Sequence, residues 1–143
     1  MGRLLVLTLA AGCAHVEAPP GGPEDRTPPS VASTSPESEA VVESYDGPVV
    51  FRFDERISET GVQDAVIVSP RTSPVEVSHG RTEIRVSMRN GWEPNAIYQI
   101  TIGTEVRDLF NNRIPAPFQL VFSTGPEVPA TRGTGTVVDR VTR

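Results

Sequence analysis

Arg81-Thr82-Glu83-Ile84-Arg85-Val86-Ser87-Met88-Arg89 decides the fold. Thr82, Ile84, Val86 and Met88 share one parity; Arg81, Glu83, Arg85, Ser87 and Arg89 share the other. Only an extended chain turns a period of two into one apolar and one solvated face. The pattern recurs on both sides of this stretch. Val49, Phe51 and Phe53 alternate with Val50, Arg52 and Asp54, Tyr98, Ile100 and Ile102 with Gln99 and Thr101, and Phe118, Leu120 and Phe122 with Gln119, Val121 and Ser123. Shorter runs at 31–35, 65–69 and 75–78 bring the expected strands to about seven. Turn formers fall between them: Asp46-Gly47-Pro48, Ser69-Pro70, His79-Gly80, Asn90-Gly91 and Asn111-Asn112. No window supports a helix of three turns. Short strands and regular turns over residues 30–125 predict an all-β sandwich with Greek-key connections.

Ahead of that domain the chain changes character. Arg3, the apolar run 4–11, the small pair Ala11-Gly12 and Cys13 describe a secretory signal ending at a lipid attachment point. Residues 1–12 are expected to be removed by cleavage between Gly12 and Cys13, leaving Cys13 as the lipidated first residue. The apolar run is too short to span a bilayer, which takes about 20 residues as a helix. Cys13 is the only cysteine, so once it carries lipid no thiol remains for disulfide, metal or nucleophilic chemistry. Residues 13–29 are the tether. Of the 14 prolines in the chain, five lie between Pro19 and Pro29, and proline there forbids a helix or a central strand. At about 3.1 Å per residue in polyproline form, residues 14–29 reach up to roughly 50 Å from a lipid surface.

The net charge is −5, and all 13 basic residues are arginine. An acidic domain repels phosphate backbones, which excludes nucleic acid as an expected partner. The expected partners are a membrane, through the lipid, and other envelope proteins.

Several segments together carry a family resemblance. Leu9-Ala10-Ala11-Gly12-Cys13 resembles the lipobox of bacterial lipoproteins. Cys13 followed by Pro19-Pro20-Gly21-Gly22-Pro23-Glu24-Asp25 and Pro28-Pro29, then Phe51-Arg52-Phe53-Asp54-Glu55, the segment from Trp92 through Pro94 to Tyr98, Asp108-Leu109-Phe110-Asn111-Asn112 and Phe122-Ser123-Thr124-Gly125 resemble the bacterial Ig-like domain of the SbsA type. The likeness is to lipoproteins that carry one such domain just after the lipidated cysteine. It implies a surface or envelope module without a reaction, located at the outer membrane or cell surface.

Trp92, Pro94 and Tyr98 form the candidate structural motif, a tyrosine corner in which the phenol bonds backbone a few residues upstream. The alternative for Trp92 and Tyr98 is carbohydrate stacking. Asp108-x-x-Asn111-Asn112 resembles the family's D-x-x-G-N turn, with Asn111 at the place that needs a positive φ. Asp108, Asn112 and Asp54 or Glu55 are weak candidates for a Ca²⁺ site, since carboxylate and amide oxygens suit that ion, but no D-x-D-x-D-G spacing supports them and turn capping is the plainer role. Arg81, Arg85 and Arg89 are read as a solvated sheet face, with an anion or glycan patch as the alternative. Asp54 and Glu55 are adjacent and so point apart, which suits no glycosidase pair. His15 and His79 are the only histidines, and no serine elbow, H-E-x-x-H or phosphate loop is present. No enzyme and no cofactor are expected.

Residues 126–143 form a tail whose Gly133-Thr134-Gly135-Thr136-Val137-Val138 segment is similar to the opening strand of a further β-module. The expected function is a lipid-anchored envelope module with a structural or protein-interaction role. The alternatives are a glycan- or Ca²⁺-binding surface module and an accessory domain of a larger, truncated envelope protein.

Overall fold

The computed structural model describes residues 21–125. The expected signal, the expected cleavage position at Gly12 and lipidation position at Cys13, His15 and the tail 126–143 lie outside the described residues.

Seven strands run in chain order: β1 (Val31–Ser35), β2 (Val49–Phe53), β3 (Val66–Ser69), β4 (Val75–His79), β5 (Glu83–Met88), β6 (Ile97–Ile102) and β7 (Phe118–Ser123). They form two antiparallel sheets, one in the order β1-β2-β5-β4 and one in the order β3-β6-β7. That division places the first, second, fourth and fifth strands against the third, sixth and seventh, which is the seven-stranded immunoglobulin arrangement. No helix occurs among the described residues.

The core is the sum of the inward parities. Phe51 and Phe53 from β2, Ile84, Val86 and Met88 from β5, Tyr98, Ile100 and Ile102 from β6, and Leu120 and Phe122 from β7 are all buried. Loop residues close the two ends: Ile57, Val62, Ala65, Val106 and Ile114 at one, Trp92 at the other. Two positions depart from simple alternation. Val50 belongs to the outward parity, yet it is buried; β2 is a central strand, and Val50 sits between Ser35 and Arg85 in the register. Thr82 precedes β5 and is exposed, its carbonyl accepting from the Phe53 amide at 2.8 Å.

One pairing lies outside the seven strands. After β1 the chain crosses from the first sheet to the second, and residues 39–42 run parallel to β7. The Glu39 and Val42 amides donate to the Val121 and Ser123 carbonyls, and the Ser123 amide donates to the Ala40 carbonyl. This covers the outer edge of β7 and leaves Ser123 fully buried.

The register also fixes which connections share an end. Val31, Phe53 and Glu83 meet at one end of the first sheet, and Ile102 and Phe118 at one end of the second. A bridge between Ile57 and Asp108 joins those two ends. The tether therefore enters at the Asp108 end, and β7 leaves at the opposite, Trp92 end.

Candidate functional site

The two ends of the sandwich gather the residues singled out by the sequence. At the exit end, Tyr98 lies one residue into β6 with its ring fully buried. Its hydroxyl accepts a hydrogen bond from the Glu93 amide at 2.8 Å, which ties the loop before β6 to the strand itself. Trp92 packs edge-on against Tyr98 and Phe122, with centroids 4.9 and 5.2 Å apart, while Tyr98 and Phe122 stack at 5.5 Å. The Trp92 indole donates to the Gly47 carbonyl at 2.9 Å, so the β1–β2 connection is fastened to the same cluster. Tyr45 adds an edge-on contact to Phe122 and donates its hydroxyl to the Pro48 carbonyl. With Trp92 8% and Tyr98 0% exposed, neither ring offers a face to a sugar. Pro94 is exposed in the intervening loop. Thr124 completes the corner: its hydroxyl donates to the Glu93 carbonyl at 2.6 Å and accepts from the Ala96 amide at 3.0 Å. Gly125 then passes so close to Asn95 that a Cβ would stand 2.8 Å from the Asn95 Cα, a separation only glycine permits.

At the tether end the centre is Asp108, a carboxylate only 2% exposed. Its Oδ1 accepts from the Phe110 and Asn112 amides at 2.8 and 2.7 Å, and its Oδ2 accepts from the Asn112 side-chain amide at 2.7 Å. Asn111 takes the positive φ, 73°, that turns the loop back. Asn112 also donates to the Asp25 carbonyl at 3.1 Å, across 87 residues of sequence. Pro29 is buried, and Ser30 donates to Asp54 through both its amide, at 2.8 Å, and its hydroxyl, at 2.6 Å. The last residues of the proline-rich segment are therefore fastened to the sandwich from Asp25 onward.

These bonds sort the acidic candidates. Asp25, Glu55 and Asp108 each bring a carboxylate oxygen within 4.8 Å of the others, and they are the described residues that could hold a cation together. Asp54 is not among them, because Ser30 draws its carboxylate away. Asp25, which the sequence did not offer, takes its place. Asn112 faces the group with its amide nitrogen, a donor to Asp108 rather than a cation ligand. Hydrogen bonds account for Asp108, whose buried charge is satisfied by three N–H donors. Glu55 carries the strain of the group: its carboxyl is pushed up from the ordinary value, first by burial and then by the negative charges of Asp108, Asp25 and Asp54. Asp54 moves the other way, held down chiefly by the two bonds from Ser30.

The arginine stripe is largely neutralised. Arg85 pairs with Glu83 at 2.6 Å and Arg89 with Glu76 at 3.0 Å, all four on the solvent side of the first sheet. His79 is exposed at the end of β4. A shallow cleft lined by Gln63, Asp64, Val66, Val68, Arg71, Val75 and Val77 runs between the unpaired edges of β3 and β4, and it places no nucleophile beside a base.

No curated protein matches the chain. Its sequence does match the family model of the bacterial Ig-like domain over residues 25–124, a span that begins where Asn112 holds Asp25 and ends at the Thr124 corner. With that match covering most of its length and the seven strands in immunoglobulin order, the chain belongs to the bacterial Ig-like domain family.

Proposed function

We propose that this protein is a lipid-anchored module of the cell envelope with a structural or protein-interaction role. Bacterial Ig-like domains are generally non-enzymatic, and this chain carries the family's sandwich. The observation that carries the anchoring is the single cysteine behind a short apolar run, Leu4-Leu5-Val6-Leu7-Thr8-Leu9-Ala10-Ala11-Gly12-Cys13, followed by a proline-rich spacer. A lipidated Cys13 gives the domain an address without giving it a reaction. Two acyl chains hold it stably where one is marginal, at about 0.8 kcal/mol per buried CH₂. The architecture supports the same reading. The tether enters at the Asp108 end and β7 leaves at the Trp92 end, so the domain stands in series between an anchor and whatever its exit end meets. Both ends are locked, one by Asn112 and Ser30, the other by Tyr98 and Thr124, as a module that transmits position requires.

Metabolic labelling with a palmitate analogue tests the anchor. The native chain takes up the label and the Cys13→Ala chain does not. Incorporation that survives the substitution rejects lipidation at Cys13.

A further inference from the structure

Two large apolar side chains stand outside the core at the end where the tether enters. Leu109 and Phe110 are 57% and 63% exposed at the tip of the β6–β7 turn. The turn holds them out. Asp108 accepts the Phe110 and Asn112 amides beneath them, and the stem is closed by bridges from Ile57 to Asp108 and from Arg107 to Arg113. A loose loop could fold such residues inward, whereas a clamped turn cannot. Asn112 fastens the same turn to the Asp25 carbonyl, so the apolar tip and the incoming tether share one support.

We infer that Leu109 and Phe110 form a lipid-contacting tip that seats the domain end-on against the bilayer to which Cys13 is anchored. This rests on the anchoring proposed above. About 12 residues separate Cys13 from Asp25, a reach of roughly 37 Å in polyproline form at about 3.1 Å per residue. A site held that close to a surface meets it at high effective concentration, so a weak contact suffices. The chemistry of the tip fits an interface. Leu and Phe supply the apolar wedge, while Arg107 and Arg113, paired by a backbone bridge across the stem, make no salt bridge among the described residues, Arg107 donating to the Asn111 side-chain oxygen at 2.8 Å. With the acyl chains on Cys13 supplying adhesion, the tip sets the orientation of the domain on the surface.

Lipidation supplies the test. When the Cys13 sulfur is blocked by lipid, Leu109→Cys gives a full-length protein with one reactive thiol, because the chain has no other cysteine. The lipidated protein is labelled with an environment-sensitive dye and reconstituted in vesicles of phosphatidylethanolamine and phosphatidylglycerol. The dye at position 109 is expected to shift to the blue and to be quenched by nitroxide-labelled lipid. A dye on Asn90→Cys, exposed at the opposite end, shows neither effect, and adding Phe110→Ser to the Leu109→Cys chain diminishes both. Vesicle-bound protein whose dye at 109 stays water-like overturns the contact and leaves the anchor standing. A native chain that takes up dye at Cys13 overturns the anchor and the contact with it. All three substituted positions are exposed, so the sandwich is kept in every variant.

Discussion

Asn111 is the position at which one side chain decides a turn. At φ 73° most L-residues pay about 1–2 kcal/mol for the left-handed conformation, asparagine less and glycine nothing. Asn111→Gly is expected to leave the urea midpoint close to the native value, whereas Asn111→Val lowers stability by about 1–2 kcal/mol. Tyr98→Phe keeps the ring stacked on Phe122 but strips the Glu93 amide of its acceptor. A loss of about 1–3 kcal/mol is expected by the same measurement, the cost of a partly buried donor left unpaired. The sequence made both residues visible because their partners lie within a few positions. It could not show that Asn112 reaches Asp25 or that Ser30 captures Asp54, because those bonds join segments far apart in the chain and no local pattern encodes them. For that reason Asp54 looked like a companion of Asp108, and Asp25 did not.

Strands were legible wherever an apolar face alternates with a solvated one, as in β2, β5, β6 and β7. The parallel partner of β7 was not. Residues 39–42 are Glu-Ala-Val-Val, too short to alternate, and they are recruited by an edge that needs covering rather than by any propensity of their own. Val42→Pro removes the donor to the Ser123 carbonyl, and faster hydrogen exchange at the Ser123 amide is the expected sign that this edge has opened.

The tether-end turn has its own pH signature. Glu55 binds its proton more tightly in the folded chain than in the unfolded one, so its ionisation costs stability above its raised pKa, and that cost fades as pH falls through it. Glu55→Gln is thus expected to raise Tm at neutral pH, with the advantage lost in acid. Asp54 has the opposite sign: Ser30 lowers its pKa, which adds stability above the unfolded value that is lost as pH falls through the folded one. Ser30→Ala should lower Tm at neutral pH, the deficit closing in acid. Thermal melts of the two variants across pH separate these contributions.

The sandwich holds its Asp108 end and its Trp92 end apart, each closed by side-chain hydrogen bonds to backbone. Under the proposed anchoring, the Trp92 end and its exposed loops point outward while the Asp108 turn faces the surface. The aromatic corner is buried and ties the loop before β6 to the strand. Intact-mass spectrometry of the protein extracted from its native membrane tests this account most directly. The account predicts a chain that begins at Cys13 and carries the added mass of acyl chains on that residue; a protein recovered in the soluble fraction with residues 1–12 in place and an unmodified thiol would contradict it.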